Sequence, residues 1–229
     1  MSVITIDGPA GAGKSTIARE LACRLGWLYL DTGAMYRAMA WLVKDAGITP
    51  DDEAAISGLC ERVRIGFTDG RVMVNGKDVS TRIRTPEIDI LSSRVSRISA
   101  VRHCLTRLQR EIASAGDVIA EGRDMGTVVF PQALYKFFLV APLEVRAARR
   151  KMQLDEAGCH VPYSEVLARM EARDRADSSR DLSPLQAAHD SIRIDSSDLG
   201  PGEIIDLIMG IVAGALTHPC PDADPGTSS

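Results

Sequence analysis

Apolar and polar positions change period along the chain, and each change marks an element. Val3–Asp7 form a short apolar run, which predicts a buried strand that ends in a glycine-rich turn. Apolar residues then recur at helical spacing from Lys14 to Leu25. Leu28–Leu30 predict a second strand, and a second helix is predicted from about Thr32 to Ala46. The chain therefore starts with a βαβα unit.

The same alternation returns in the second half of the chain. Val118–Ala120 and Lys136–Val140 predict strands, and a long helical pattern follows from Pro142. Ile192–Asp195 precede a final helix that is predicted from Pro201 to about residue 215. Strands that alternate with helices predict an α/β fold, in which helices flank a parallel sheet.

Two segments interrupt this alternation. Val63–Arg84 alternate polar and apolar residues around a turn, which predicts an antiparallel hairpin. Helical patterns flank the hairpin at Asp51–Glu61 and Pro86–Ala115, so we place it in an inserted subdomain of about residues 33–115. Asp155–Tyr163 separate two helical patterns, and we expect a hinged lid at about residues 150–165. The tail, residues 217–229, is rich in Pro, Asp, Gly, Thr and Ser and is expected to be disordered.

Composition limits the classes of protein that fit this pattern. A chain of 229 residues that is 45% hydrophobic and 25% charged is typical of one large globular domain or two small ones. Its apolar runs are far shorter than the ~20 residues that span a bilayer, and the N-terminus lacks the basic flank of a signal peptide. We therefore expect a cytoplasmic protein without membrane contact.

Charge and cysteine content narrow the expected partners further. The net charge of -4 gives no reason to expect nucleic-acid binding. Five widely spaced cysteines without a CxxC pair are expected to be reduced thiols, and the four histidines lack ligand spacing for a metal cluster. Nothing in the sequence implies an obligate protein partner.

A phosphate-binding motif follows the first predicted strand and precedes the first predicted helix. The motif GxxxxGK[ST] is matched by Gly8, Pro9, Ala10, Gly11, Ala12, Gly13, Lys14 and Ser15. In such a loop the backbone N–H groups surround phosphate oxygens, Lys14 reaches the β and γ phosphates, and Ser15 or Thr16 ligates magnesium. We therefore expect ATP as co-substrate and Mg²⁺ as cofactor, with Ser15 as the metal ligand.

The loop alone does not separate a kinase from a switch or a motor. A GTPase would show an Asn-Lys-x-Asp motif, but the nearest string, Asn75–Asp78, has its lysine one place too late and lies in the predicted hairpin. Val118–Glu121 resemble the strand and terminal acid of a motor ATPase. Arg123 follows at once, however, at a place where motors do not require an arginine.

Two further strings identify a family resemblance. Asp31–Arg37 (DTGAMYR) and Glu121–Pro131 (EGRDMGTVVFP), together with the phosphate loop, resemble bacterial cytidylate kinases over roughly residues 3–215. The hairpin insert resembles the extension that distinguishes the bacterial members from shorter nucleoside monophosphate kinases. The resemblance implies a single P-loop kinase domain, residues 1–229, that transfers the γ phosphate of ATP to CMP or dCMP.

The resemblance also implies roles for individual residues. Thr32 and Arg37 at the start of the second helix would hold the acceptor's α phosphate, and Arg123 would be a further phosphate contact. Lys14, Arg123 and Arg180 are the expected catalytic residues, because a loose transition state mainly needs positive charge and alignment. No general base is required on this hypothesis, and Asp7 is expected to stabilise a turn.

Cytosine recognition is implied for Ser93, Arg102 and Asp124. A carboxylate accepts a hydrogen bond from the exocyclic amine of cytosine, and an arginine donates to the ring nitrogen and carbonyl. Uracil presents a carbonyl in place of that amine, so Asp124 would oppose one acceptor with another.

The remaining expectations concern arginines. Arg173, Asp177 and Arg180 are spaced for one face of a helix. The resemblance implies that the first two contact the ribose and that Arg180 lies near the transferring phosphate. In the lid region at least one arginine should approach the ATP phosphates, and Arg149 is our assignment from Arg146, Arg149 and Arg150. A solvated helix face is expected for Arg94, Arg97, Arg107 and Arg110.

Two alternatives stay open from sequence alone. One is a P-loop kinase for another small acceptor such as UMP, and the other is a nucleotide-dependent switch that binds a protein partner. The Asp124 and Arg102 pair favours a cytosine acceptor over uracil, and the missing Asn-Lys-x-Asp motif disfavours a GTP-type switch. The sequence does not distinguish CMP from dCMP as the preferred acceptor.

Overall fold

The fold was obtained as a computed structural model, which describes residues 2–68 and 70–216. Asp69 in the predicted hairpin turn and the predicted disordered tail, residues 217–229, lie outside the described residues. Within them the strands are β1 (Val3–Asp7), β2 (Leu28–Asp31), β3 (Ile65–Thr68), β4 (Arg71–Val74), β5 (Lys77–Asp78), β6 (Val118–Gly122), β7 (Tyr135–Val140) and β8 (Ile192–Asp195).

Helices connect these strands, and one short turn is π-helical. The α-helices are α1 (Lys14–Leu25), α2 (Thr32–Asp45), α3 (Glu53–Arg62), α4 (Pro86–Val95), α5 (Ser99–Ala113), α6 (Leu143–Glu156), α7 (Tyr163–Ser178) and α8 (Pro201–Leu216). The π-helical turn spans Met125–Val129, directly after β6. Among the described residues, none of these helices has the length and apolar content needed to cross a membrane.

The main sheet is parallel and has the strand order β2-β6-β1-β7-β8. Every residue of the central strand β1 is buried, as expected for a strand that is covered on both faces. The register pairs Asp7 with Gly122 and Asp31 with Glu121 at the carboxyl ends of β1, β2 and β6. Four polar or glycine residues therefore meet at the edge where open α/β sheets bind ligands. The predicted α/β class is confirmed.

Helix α1 begins and ends at glycines with positive φ. Gly13 precedes it with φ 91°, and Gly26 ends it with φ 67° while its N–H contacts the carbonyls of Ala22 and Cys23. The apolar side of α1 packs with β1, β7, β8 and α8 in one buried cluster. This packing fixes the direction in which the phosphate-binding loop enters the helix.

The predicted hairpin is part of a three-stranded antiparallel sheet, β3-β4-β5. Its inward side chains, among them Val72 and Val74, belong to a second apolar cluster with α2, α3, α4 and α5. The helical pattern over residues 86–115 is two helices rather than one. Ser96 ends the first, since its hydroxyl donates to the Ser93 carbonyl at 2.9 Å and Ile98 is extended.

The segment predicted as a lid joins α6 to α7. Residues 157–162 connect the two helices, and most of their side chains are exposed. Arg150 of α6 pairs with Asp89 of α4 at 3.2 Å, so α6 contacts the helical part of the predicted insert. Movement of residues 150–165 as a lid, and of residues 33–115 as an insert, stays a prediction.

Candidate active site

The phosphate-binding loop closes tightly against its neighbours because three of its residues are glycines with positive φ. The φ values are 144° at Gly8, 78° at Gly11 and 91° at Gly13. A Cβ on Gly8 would lie 2.3 Å from the carbonyl oxygen of Leu139, so only glycine fits where the loop leaves β1. The loop can therefore present its backbone N–H groups to an anion at the start of α1.

Lys14 is buried at the N-terminus of α1. Its Nζ donates to the carbonyl of Pro9 at 2.7 Å, across the loop. Burial lowers the pKa of Lys14 to about 7, and the positive charge of Arg123 acts in the same direction, against the attraction of Glu121 and Asp7. A lysine in this state lacks a strong anionic partner, which a phosphate would supply.

Glu121 lies near the carboxyl end of β6, in contact with Ser15. The Ser15 hydroxyl donates to Glu121 Oε2 at 2.9 Å, and the Tyr29 hydroxyl donates to Glu121 Oε1. Burial and the nearby charge of Asp31 raise the pKa of Glu121. A hydroxyl and a carboxylate are oxygen ligands of the kind that Mg²⁺ prefers, so the donor set fits the magnesium expected here.

Glu121 and Tyr29 are functional candidates that the sequence analysis did not assign. The signal for Glu121 was present, since an acid ended an apolar strand in the manner of a motor ATPase. It was set aside because Arg123 followed. No sequence signal pairs Tyr29 with Glu121, because that contact depends on the register between β2 and β6.

Asp7 holds the π-helical turn. Its two carboxylate oxygens accept the N–H groups of Met125 at 3.0 Å and Gly126 at 2.8 Å. Burial raises the pKa of Asp7 to about 6, although both hydrogen bonds oppose that change. The contact agrees with the expectation that Asp7 stabilises a turn, and it connects the strand before the phosphate loop to Asp124.

Thr32 and Arg37 lie at the start of α2, close to the end of β6. The Thr32 hydroxyl donates to the Glu121 carbonyl at 2.6 Å, and Asp31 Oδ1 caps the helix by accepting from Ala34 N at 2.7 Å. Arg37 Nη2 pairs with Asp31 Oδ2 at 3.4 Å. The buried Nε of Arg37 has no hydrogen-bond partner among the described residues, so this guanidinium retains a free donor.

Arg102 and Asp124 form a buried ion pair, although they come from α5 and the segment after β6. Their side chains are only 5% and 4% exposed, and Arg102 Nη2 donates to Asp124 Oδ2. Arg102 Nη1 also donates to the Ser96 carbonyl at 3.2 Å, and the guanidinium lies over the Tyr36 ring at 5.6 Å. Burying an ion pair costs free energy of desolvation. Binding of a ligand by Arg102 and Asp124 would explain why this pair is buried.

Ser93 is half-buried on α4. It lies one turn before Ser96, whose carbonyl receives the hydrogen bond from Arg102. The pair formed by Arg102 and Asp124 is thus brought together as the sequence analysis anticipated. The role of Ser93 stays a prediction.

Three arginines surround Asp177, and we call them, together with Arg37, the arginine cluster (Arg37, Arg123, Arg173 and Arg180). Arg123 Nε donates to Asp177 Oδ2 at 3.0 Å, and Arg180 Nη2 donates to Asp177 Oδ1. Burial alone would raise the pKa of Asp177, but the arginines outweigh it and the pKa is lowered.

Arg173 has no such bond through its Nε. That buried nitrogen has no hydrogen-bond partner among the described residues, and burial with the charges of Arg123 and Arg37 lowers the pKa of Arg173. Arg37 and Arg173 lie close enough for their charges to interact, and each keeps a buried Nε without a hydrogen-bond partner among the described residues. An anion is the missing partner that such donors require.

One predicted helix position is wrong. Arg180 was placed with Arg173 and Asp177 on one helix face, but α7 ends at Ser178. Arg180 still reaches Asp177, because the chain turns back after the helix and Leu185 N donates to the Asp177 carbonyl at 2.9 Å. Arg180 and Asp177 are therefore in contact as predicted, but Arg180 does not lie on the helix.

Two arginines of α6, Arg146 and Arg149, form hydrogen bonds with other parts of the protein. Arg149 Nη2 donates to the carbonyls of Ser196 at 2.5 Å and Ser197 at 3.2 Å. Arg146 donates to the carbonyls of Ala141 and Ala10 and pairs with Asp174 at 2.6 Å. The assignment of Arg149 to ATP stays a prediction, since these contacts employ its guanidinium within the protein.

The arginines expected on a solvated face are Arg94, Arg97, Arg107 and Arg110, and all four are exposed, so that prediction is confirmed. Arg94 pairs with Asp51 and Arg107 with Glu111. Arg110 also donates to the carbonyls of Val128 and Val129, each at 2.9 Å. These two hydrogen bonds were not predicted, because the π-helical turn that presents the carbonyls has no signature in the apolar pattern.

Comparison with known proteins gives a consistent family match. Residues 4–213 match the sequence model of the family described as "Cytidylate kinase". A cytidylate kinase of Geobacter sulfurreducens is 47% identical over 214 residues, which cover 92% of each chain. One of Thermosipho melanesiensis is 45% identical over 209 residues, covering 91% of this chain and 95% of the relative.

Solved structures align over most of the chain at lower similarity. The crystal structure of TT1252 from Thermus thermophilus is 22% identical and covers 95% of this chain and 98% of its own, with a TM-score of 0.49. We base the family assignment on the sequence matches alone.

Proposed function

This chain belongs to the cytidylate kinase family, and we propose that its reaction takes place between the phosphate-binding loop and the arginine cluster. It is an ATP-dependent phosphotransferase that acts on CMP or dCMP. The γ-phosphate of ATP passes to the acceptor, which gives CDP or dCDP together with ADP. The observation that carries the proposed location is the pair of buried Nε donors on Arg37 and Arg173, which have no hydrogen-bond partner in the part of the chain that the structure describes.

The loop of residues 8–15 binds the phosphates of ATP in this proposal. Its glycines permit the backbone N–H groups to face the phosphate oxygens, and Lys14 leaves the Pro9 carbonyl to contact them. Thr16 follows Ser15 on the first turn of α1 and adds a second hydroxyl there. Because phosphate is a strong anion, its arrival raises the pKa of Lys14 and charges the amine.

Ser15 and Glu121 would hold Mg²⁺ on the sheet side of the loop. The metal would supply charge neutralisation to the β- and γ-phosphates. Tyr29 keeps Glu121 oriented by donating to the carboxylate oxygen that Ser15 does not use. Mg²⁺ usually keeps several waters and takes further oxygen ligands from substrate phosphates, so ATP and water would supply the remaining ligands.

The arginine cluster binds the acceptor phosphate. Arg37 and Arg173 direct free donors to it, and Arg123 and Arg180 are held by Asp177, whose lowered pKa keeps it ionised. Thr32 adds a hydroxyl at the start of α2. Arg123 also lies close enough to Lys14 to lower the pKa of the lysine, so it connects the two phosphate sites. Arg173 and Asp177 would also contact the acceptor ribose.

Arg102 and Asp124 read the base. Asp124 Oδ2 accepts from Arg102, and the carboxylate would also accept from the exocyclic amine of cytosine. Arg102 and the half-buried Ser93 complete the base contact. Uracil would leave the buried carboxylate opposite a carbonyl, which is a strong basis for rejection.

The reaction needs no obligatory general base. In a loose transition state for phosphoryl transfer, alignment and positive charge supply most of the catalysis. Lys14, Arg123 and Arg180 provide that charge from the two sides of the transferring phosphoryl group. Closure of the insert, residues 33–115, and of the lid, residues 150–165, would exclude water and limit idle ATP hydrolysis.

An acceptor panel tests this proposal. ADP production from ATP and Mg²⁺ would be measured with CMP, dCMP, UMP, AMP and GMP offered in turn. We expect CMP and dCMP to support turnover, with UMP disfavoured by the contact to Asp124. Equal kcat/KM for UMP and CMP would refute base reading by Asp124.

A further inference from the structure

The π-helical turn that follows Asp124 is held at both ends by charged side chains from other elements. At its start, Asp7 of β1 accepts the N–H groups of Met125 and Gly126. At its end, Arg110 of α5 donates from Nε to the Val129 carbonyl and from Nη2 to the Val128 carbonyl, each at 2.9 Å. A five-residue turn with π geometry thus has external partners for both its N–H and its C=O groups.

The carboxyl end of the π-helical turn is hydrogen-bonded to Asp124. The N–H groups of Val128 and Val129 both donate to the Asp124 carbonyl, at 2.9 and 3.2 Å. Arg110 fixes the carbonyls of the same two residues, so it limits movement of the peptide groups that anchor Asp124. Two turns earlier on α5, Arg102 pairs with the Asp124 carboxylate. Helix α5 therefore contacts the Asp124 side chain through Arg102, and it contacts the turn that hydrogen-bonds to the Asp124 backbone through Arg110.

We propose that Arg110 is a positioning residue for cytosine recognition. By bridging two successive carbonyls, it keeps the π-helical turn wound and the Asp124 carboxylate at a fixed distance from the base. Only a guanidinium offers two donors in the fixed fork that such a bridge requires, whereas lysine offers one compact charge. The proposal rests on the proposed role of Asp124 in reading the base.

The test compares variants of α5 in the full chain. Arg110→Met keeps an unbranched side chain and removes both donors, and Arg110→Lys retains one charged donor. Arg107→Met is the matched control, because Arg107 lies one turn earlier on α5, is exposed, and pairs with Glu111 at 2.7 Å rather than with the π-helical turn. For each protein, kcat and KM would be measured for CMP, UMP and ATP, with the thermal unfolding midpoint.

We expect Arg110→Met to lower the ratio of kcat/KM for CMP to that for UMP by about threefold to tenfold, since small misplacements of a binding group are costly. The loss should appear in the KM for CMP, while the KM for ATP stays within about twofold of wild type. Arg110→Lys should recover part of the ratio, and Arg107→Met should behave as wild type.

Asp124→Asn in the same assay separates this inference from its premise. If Asp124→Asn keeps the wild-type ratio, base reading by Asp124 fails and the role of Arg110 fails with it. If Asp124→Asn loses the ratio while Arg110→Met keeps it, only the positioning role is wrong. A fall in activity with all substrates alike, in step with the unfolding midpoint, would also overturn the inference, because it would show a structural role.

Discussion

The two phosphate sites that we propose are built in opposite ways. The donor site is a continuous loop, residues 8–15, whose binding groups are mostly backbone N–H groups placed by three glycines of positive φ. The acceptor site has no continuous segment. Its side chains come from α2, α5, α7 and the segments after β6 and α7, and Asp177 ties two of its arginines together.

The two sites also supply positive charge for a phosphate in different ways. The loop is a local device, in which a helix N-terminus and one buried lysine supply the positive potential. The arginine cluster is assembled by tertiary contacts, and its four cations are only partly balanced by Asp31 and Asp177. We therefore expect substitution of Lys14 to act on kcat, and substitution of Arg37 or Arg173 to act on acceptor binding.

The largest expected effect is on the donor side, at Lys14. Lys14→Met removes the one side-chain cation of the loop, and we expect kcat to fall by about 10²- to 10³-fold, as for loss of one preorganised donor to a transition state. Steady-state kinetics with saturating CMP would measure it. Lys44→Met is the control, because Lys44 is exposed and pairs with Glu87. A variant Lys14→Met with near-normal kcat would remove the loop from the chemistry.

A smaller effect is expected on the acceptor side, at Arg173. Arg173→Met should raise the KM for CMP by about tenfold to a hundredfold, because a charged hydrogen bond contributes about 1.5–3 kcal/mol. The KM for ATP should change much less. Arg175→Met is the matched control two residues later on α7, where the arginine is exposed and pairs with Glu171. Equal effects on the KM values of CMP and ATP would contradict the division between the two sites.

The smallest expected effect is the uptake of a proton by Lys14 when ATP binds. With its pKa lowered to about 7, Lys14 is mostly neutral at pH 8 in the free protein, and bound phosphate raises that pKa again. ATP binding at pH 8 should therefore take up a fraction of a proton more in wild type than in Lys14→Met. Calorimetry in buffers of different ionisation enthalpy measures this difference. Identical proton uptake in both proteins would show that Lys14 is already charged.

The same contrast explains how far the sequence predicts the structure. The donor site follows from spacing, because a glycine-rich turn between a strand and a helix leaves the backbone few conformations. Strand β1, helix α1 and the parallel sheet were predicted on this basis and are confirmed. The break of one predicted helix at Ser96 was missed, since serine back-bonding leaves no gap in the apolar pattern.

The acceptor site was predicted through family resemblance rather than through spacing. Arg102 and Asp124 do meet, although no local rule joins residues that are 22 positions apart. Contacts that depend on tertiary register were missed, as with Tyr29 and Glu121. Arg110 is exposed as predicted, but its hydrogen bonds were missed because its partners are backbone carbonyls of an unpredicted turn.

The central claim is that Asp124 accepts a hydrogen bond from the exocyclic amine of cytosine. It is tested most directly by comparing CMP with its analogue that lacks only that amine, the 2-pyrimidinone ribonucleotide, on wild type and on Asp124→Ala. In wild type we expect kcat/KM to fall by at least about a hundredfold when the amine is removed. In Asp124→Ala the two acceptors should differ little, because the group that reads the amine is absent. An equal loss in both proteins would contradict the claim.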